Sequence, residues 1–221
     1  MLAKDLISDI VPALRTSDSG LDALNWMEVF RVSHLPIVNN KEFLGLITDT
    51  DIYDLNKPEE PLGNHQLSLT SPYVFYNQHI YSVIELASRL RLTVIPVLAE
   101  NKDYLGLITQ TDLLKNYADL IAVHTPGGIV EIEVPAYDYS FSEIARLIED
   151  TDTKVLSLYV KKDEAGDLLN ITIKLNREDI TPVLRAFDRY DYTVTASYSE
   201  HSTVDEIVKK NYDALIRYLN V

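Results

Sequence analysis

Residues 32–52 read VSHLPIVNNKEFLGLITDTDI, and residues 92–113 read LTVIPVLAENKDYLGLITQTDL. The two stretches are copies of one pattern. Pro36 recurs as Pro96 at an offset of 60, and Gly45 recurs as Gly106 at an offset of 61, so the second copy has one extra residue in its turn. A repeat of this length marks a supersecondary unit used twice, and it governs the reading of what surrounds it.

Working outward, Leu21, Leu24, Met27 and Phe30 recur 60 residues later as Tyr81, Ile84, Ala87 and Leu90. Spacing of three predicts the apolar stripe of a helix. HLPIV and VIPVL then read as short strands, NNKE and AENKD as polar turns, and FLGLIT and YLGLIT as second strands that lead into helices beginning near Thr48 and Thr109. Each unit is thus expected to run helix, strand, turn, strand, helix. Residues 57–66, KPEEPLGNHQ, read as a linker on composition. Beyond Thr125-Pro126-Gly127-Gly128 the pattern changes. Residues 129–134, 154–162, 168–175 and 192–198 read as strands, and 140–150, 178–190 and 204–219 as helices, which gives βαββαβ with an added terminal helix, the split β-α-β type.

The doubled Leu-Pro-Ile-Val strand followed by Gly-Leu-Ile-Thr-x-x-Asp resembles a tandem cystathionine-β-synthase (CBS) domain pair. The remainder resembles an ACT domain by element order, and the combination is similar to the acetoin-utilisation accessory protein family. The resemblance implies an α+β fold: two β-α-β-β-α modules in pseudo-twofold arrangement, at 1–56 and 67–122 with 57–66 as linker, then a ferredoxin-like ACT-type domain at 127–221. It implies two clefts that bind adenosine compounds such as AMP, adenosine, S-adenosylmethionine or ATP, and no catalysis in the pair. The family's ribose motif falls on Thr48 and Asp51 and again on Thr109 and Asp112. Adenine is expected against the strand entries, at His34, Leu35 and Pro36 in one copy and at Val94, Ile95 and Pro96 in the other.

The chemistry agrees. A ribose offers two vicinal hydroxyl donors, and one ionised carboxylate can accept from both in charge-assisted bonds. The plainer reading of the same residues is a helix cap: Thr-x-x-Asp at a helix start is close to a capping box, worth about 0.5–2 kcal/mol. Phosphate needs cationic side chains, for which the sequence offers Arg31 beside the first copy's strand and Arg89 and Arg91 beside the second's. With so few, adenosine, AMP or S-adenosylmethionine is expected over ATP.

Composition narrows the alternatives. The 221 residues contain no cysteine, which excludes disulfides and thiolate metal sites. Twenty Lys and Arg against 34 Asp and Glu give a formal charge of −14, a field that repels nucleic-acid backbones and anionic lipid. The opening MLAKDLISDIVPALRTSDSG is too acidic and interrupted for a signal peptide, and no apolar run approaches the roughly 18 residues of a membrane span, so a cytoplasmic location is expected. Asp49, Asp51 and Glu60 fit a calcium loop only until Tyr53 and Asp54 occupy its fifth and sixth positions, and the five histidines show no metal-ligand spacing. No metal or cofactor is expected beyond an adenosine nucleotide as effector.

In the last domain, Pro135-Ala136-Tyr137-Asp138-Tyr139-Ser140 lacks the glycine that amino-acid-binding ACT relatives place between first strand and first helix. A dimerisation sheet is therefore expected over an amino-acid site, with Tyr137, Tyr139, Tyr190, Tyr192, Tyr198, Tyr212 and Tyr218 suited to an interface. The expected protein is a non-enzymatic regulatory homodimer whose CBS pair senses an adenosine compound and whose ACT-like domain dimerises and signals to a downstream enzyme or transporter. Its rivals are a ligand-free scaffold in which Thr-x-x-Asp only caps helices, amino-acid sensing by the ACT-like domain, and a hydrolase built on Asp49, Asp51 and Asp54.

Overall fold

The computed structural model describes residues 1–163 and 166–199, and the chain divides into two compact units, Met1–Tyr117 and Ala118–Val221. The helix expected at 204–219, with Tyr212 and Tyr218, lies outside the described residues.

In the first unit the repeat is visible element by element. Helix α1 (Gly20–Phe30) starts on a capping box in which the Ser19 hydroxyl accepts the Asp22 N–H and the Asp22 carboxylate accepts the Ser19 N–H. Strands β1 (His34–Asn39) and β2 (Glu42–Thr48) form an antiparallel hairpin with Pro36 opposite Leu46, and the short α2 (Asp49–Tyr53) follows. The second copy has a short β3 (Val74–Phe75), α3 (Ile80–Leu90), the hairpin β4 (Val94–Leu98) and β5 (Tyr104–Thr109), then α4 (Gln110–Leu120). Val74 pairs in parallel with Val97, and Leu14 pairs in parallel with Ile37, each partner displaced by 60. Each module therefore runs β-α-β-β-α, its first strand reduced to one or two pairing residues.

The apolar stripes hold in part: Met27 and Ala87 are buried and Leu24, Phe30 and Ile84 pack against the core, whereas Leu21, Tyr81 and Leu90 are exposed. Gly20 and Ala23 on α1, and Ile80, Val83 and Leu86 on α3, also turn inward. Close approach decides this: a Cβ at Gly20 would lie 2.9 Å from Ile52 Cγ2 and 3.1 Å from the Pro58 carbonyl oxygen. The stretch read as a linker is tied to the first module, with Leu62 buried and its N–H donating to the Asp18 carbonyl at 2.8 Å.

The repeats also trade strands. Ser8, ahead of α1 in the first module, donates its N–H to Leu107 O of β5 at 2.8 Å, while Leu46 of β2 donates its N–H at 2.8 Å to the carbonyl of Thr70, ahead of β3 in the second. These crossings explain the repeated glycine. Gly45 and Gly106 both have φ +149°, and an added Cβ would lie 2.7 Å from Leu69 Cβ and 2.5 Å from Ile7 Cγ2 respectively. One apolar core, including Leu35, Ile37, Ile47, Ile95, Val97 and Ile108, serves both copies.

The second unit contains β6 (Ile129–Pro135), α5 (Phe141–Glu149), β7 (Val155–Lys162), β8 (Leu168–Leu175), α6 (Thr181–Arg189) and β9 (Thr193–Tyr198). The antiparallel sheet is ordered β7-β8-β6-β9. Strict alternation buries Val130, Ile132 and Val134 on β6 and Leu169, Ile171 and Ile173 on β8, in one core with Ile144, Leu147 and Phe187 of the helices. The described elements follow the expected βαββαβ order.

Candidate functional site

Thr109 ends β5 and Asp112 lies in the first turn of α4, so the strand-to-helix junction sets their side chains beside each other. The Thr109 hydroxyl donates to Asp112 Oδ2 at 2.7 Å and accepts the Asp112 N–H at 3.0 Å. Thr48 and Asp51 repeat this at 2.7 and 3.1 Å, and there the Thr48 N–H also donates to Oδ2 at 2.8 Å. The Asp51 carboxylate therefore does cap its helix, whereas in the second copy Thr109 Oγ1 takes the helix N–H and the Asp112 carboxylate takes the Thr109 hydroxyl. Each carboxylate is engaged through Oδ2, and Oδ1 has no partner among the described residues. That oxygen is the acceptor with which such a site can meet a ligand.

Thr109 and Asp112 line a cavity of about 220 Å³. Its other walls come from the opening segment (Ser8, Ile10, Val11), from the end of α1 (Phe30, Arg31, Val32), and from Thr93. The cavity is thus built by both repeats. Arg31 and Val32 also line a larger recess of about 670 Å³ with Glu28, Ser33, Asp49 and Tyr53.

Where the copies meet, the Ser33 N–H donates to Thr93 Oγ1 at 3.0 Å, and His34 Nδ1 lies 3.0 Å from the same oxygen. The Thr93 N–H also lies 3.5 Å from Nδ1. Burial lowers the His34 pKa, and the nearby Asp49 and Asp51 carboxylates oppose that shift.

The remaining residues expected at the site are placed as follows. Leu35, Pro36, Val94, Ile95 and Pro96 are buried in the strands and belong to the core rather than to the cavity wall. Arg89 pairs with Glu85 at 2.7 Å and lines a separate surface recess with Tyr73 and Gln78. Arg91 ends α3 in a left-handed backbone conformation with φ 53°, and Arg31 ends α1 in the same way with φ 56°. Ser8, Ile10 and Val11 went unread as site residues because they lie outside the quoted copies. The strand exchange that brings them in leaves no motif of its own.

In the second unit, Pro135, Asp138, Glu143, Asp191 and Tyr192 share a cavity of about 270 Å³ with Glu133. Among the described residues its lining includes no cationic side chain, and Arg146 lies 5.6 Å from the ring of the lining Tyr190. The Tyr192 phenol is raised by burial and by Glu143 and Asp138.

Residues 3–56 and 68–119 each match the CBS domain family, so the chain carries a tandem pair of CBS domains in an α+β fold. Inosine-5'-monophosphate dehydrogenase of Methanocaldococcus jannaschii is 24% identical over 147 residues, 65% of this chain, and the chain spans only 29% of that enzyme's length. A crystal structure of a CBS domain pair/ACT domain protein from Thermotoga maritima is similar at 19% identity and a TM-score of 0.48, over 54% of this chain and 98% of the other. A structure of CBSX2 in complex with AMP is similar at 15% identity and a TM-score of 0.46, over 53% of this chain and 96% of the other. Among the described residues, no helix is long and apolar enough to cross a membrane.

Proposed function

We propose that the CBS pair is a non-catalytic regulatory module that binds an adenosine-containing ligand in the cavity of Thr109 and Asp112. A single observation carries this: a carboxylate with one oxygen held by the Thr109 hydroxyl and the other without a partner among the described residues lines a cavity with that hydroxyl, where a vicinal diol can meet it. Because both repeats build the cavity, a ligand there contacts both at once. It biases their arrangement by as much as it prefers one arrangement over another. The ACT-like unit is proposed to dimerise the cytosolic protein and carry the change to a downstream enzyme or transporter. Its acidic cavity supports that role over amino-acid sensing.

The test is a thermal-shift panel of adenosine, AMP, ADP, ATP, NAD and S-adenosylmethionine. A ligand at 100 times its Kd should stabilise by about 2.7 kcal/mol, and replacement of Asp112 should remove the shift. No shift with any of the six sinks the proposal. The second reading, a scaffold with empty clefts, is favoured by the complete capping box at Thr48 and Asp51. It predicts that the same replacements cost stability alone.

A further inference from the structure

Where the two hairpin turns meet, the Tyr104 N–H donates to Lys41 O at 2.7 Å, and Glu42 pairs with Asp103, its counterpart 61 residues on. A recess of about 610 Å³ lies there, lined by Arg15, Ser17, Asn39 and Asn40 of the first repeat and Tyr104 of the second. A fold used twice shows in both copies what it requires. At this recess the copies part. Arg15 has Phe75 as its counterpart, Asn39 has Ala99, Asn40 has Glu100, and Tyr104 has Phe43, whose ring it stacks on with centroids 6.3 Å apart. The framework therefore requires neither the guanidinium, the amides nor the phenolic hydroxyl that line this recess.

Among the described residues Arg15 is the one ionised side chain of the lining, and it makes no ion pair. Asp18 accepts the Arg15 backbone N–H at 2.8 Å, and Lys41 is matched by Asp103 at 3.8 Å. The half-buried Tyr104 hydroxyl has no hydrogen-bond partner among the described residues; burial raises its pKa, so it keeps its proton and can donate. Thr16 holds the Asn39 amide in place, accepting from Nδ2 at 3.1 Å and donating its N–H to Oδ1 at 3.3 Å. A guanidinium fork matches a carboxylate in pairs, while amides and the Ser17 hydroxyl both donate and accept, as a ligand's own hydroxyls need. One guanidinium balances one negative charge, and a lining without a carboxylate has no anion for an ammonium group. The volume is that of a small-molecule site, about 300–1,000 Å³.

We propose that this recess binds a hydroxylated monocarboxylic acid, its carboxylate on Arg15 and Tyr104 and its hydroxyls on Ser17, Asn39 and Asn40. The recess shares no lining residue with the cavity of Thr109 and Asp112, so the proposal stands apart from the adenosine reading. Its walls also come from both repeats, which makes it a second input to how they are arranged.

Amide NMR titration of the full chain with D-gluconate and L-lactate at constant ionic strength tests this, with glucose and inorganic phosphate as contrasts. At least one acid should give saturable shifts at Arg15, Thr16, Asn39 and Tyr104, and glucose, which lacks the carboxylate, should give none. Arg15 is exposed and Tyr104→Phe copies Phe43 of the first repeat, so both sites tolerate replacement without loss of the fold. Arg15→Gln should weaken the acid at least tenfold, as loss of a charged hydrogen-bond donor does, and Tyr104→Phe at least twofold. No saturable shift with either acid, a response to glucose or phosphate as strong as to the acids, or a smaller loss in either variant overturns the proposal.

Discussion

The Ser33 N–H donates to Thr93 Oγ1 at 3.0 Å, joining two residues that hold the same place in the two copies. Equivalent positions touch only near an axis that relates their units, so this bond marks where the halves of the pair turn about each other. The carbonyls of the same two residues accept the first N–H groups of the following helices, Asp49 N at 3.3 Å and Gln110 N at 3.0 Å. The contact between repeats is therefore wired directly to both helix starts that carry the Thr-x-x-Asp motif.

Thr93→Val keeps shape and removes the oxygen. It leaves the Ser33 N–H without its partner, and a half-buried donor so stranded should cost about 1–3 kcal/mol. Urea denaturation should show a lower midpoint with an unchanged slope. An unaltered midpoint would mean that water replaces the hydroxyl at no cost.

Gly106→Ala forces a Cβ against Ile7 and asks a non-glycine residue to hold φ +149°. Strain of about 1–3 kcal/mol joins an overpacking cost of similar size. A loss of roughly 2–5 kcal/mol is expected, and Gly45→Ala, which meets Leu69, should behave alike. Chemical denaturation of each variant gives the number directly, and a loss below 1 kcal/mol would show that the crossing segments slide aside.

Asp112→Asn separates the two readings of the motif. Asparagine retains a carbonyl oxygen to accept from Thr109, so the cap should survive with stability changed by no more than about 0.5 kcal/mol. The charge that would bind a diol is gone, and adenosine affinity should fall at least tenfold. Affinity equal to that of the native chain would assign Asp112 to capping alone.

His34 predicts the effect of acid. Its pKa is lower folded than unfolded, because burial outweighs the pull of Asp49 and Asp51. Between the ordinary value of 6.5 and that lower folded value the unfolded chain binds the extra proton, so stability falls as pH drops through this window. Above 6.5 the contribution is fully present. His34→Gln should flatten the pH dependence of the melting temperature over that interval, and an unchanged slope would exclude His34 as its source.

Much of this was legible in the residues. Pro36 with Pro96 and Gly45 with Gly106 betrayed the repeat, and both glycines hold a backbone geometry that few residues can supply. The helix stripe was harder to read. Gly20 faces inward, and close packing against Ile52 leaves room for nothing larger, a constraint set by a partner 32 residues away. Thr109 and Asp112 could be named from their spacing. The destination of Arg31 could not, since nearness in sequence assigned it to its own repeat, whereas it also lines the cavity of Thr109 and Asp112.

The traded strands have a consequence for cutting the chain. A fragment ending between the repeats would keep Ser8 with no Leu107 to receive it and Leu46 with no Thr70, two open hydrogen-bonding edges on one small body. A second identical fragment offers matching edges, Leu46 standing in for Leu107 and the segment near Ser8 for that near Thr70. Half of this polypeptide should therefore embrace its own twin, and the intact chain keeps that embrace within one molecule.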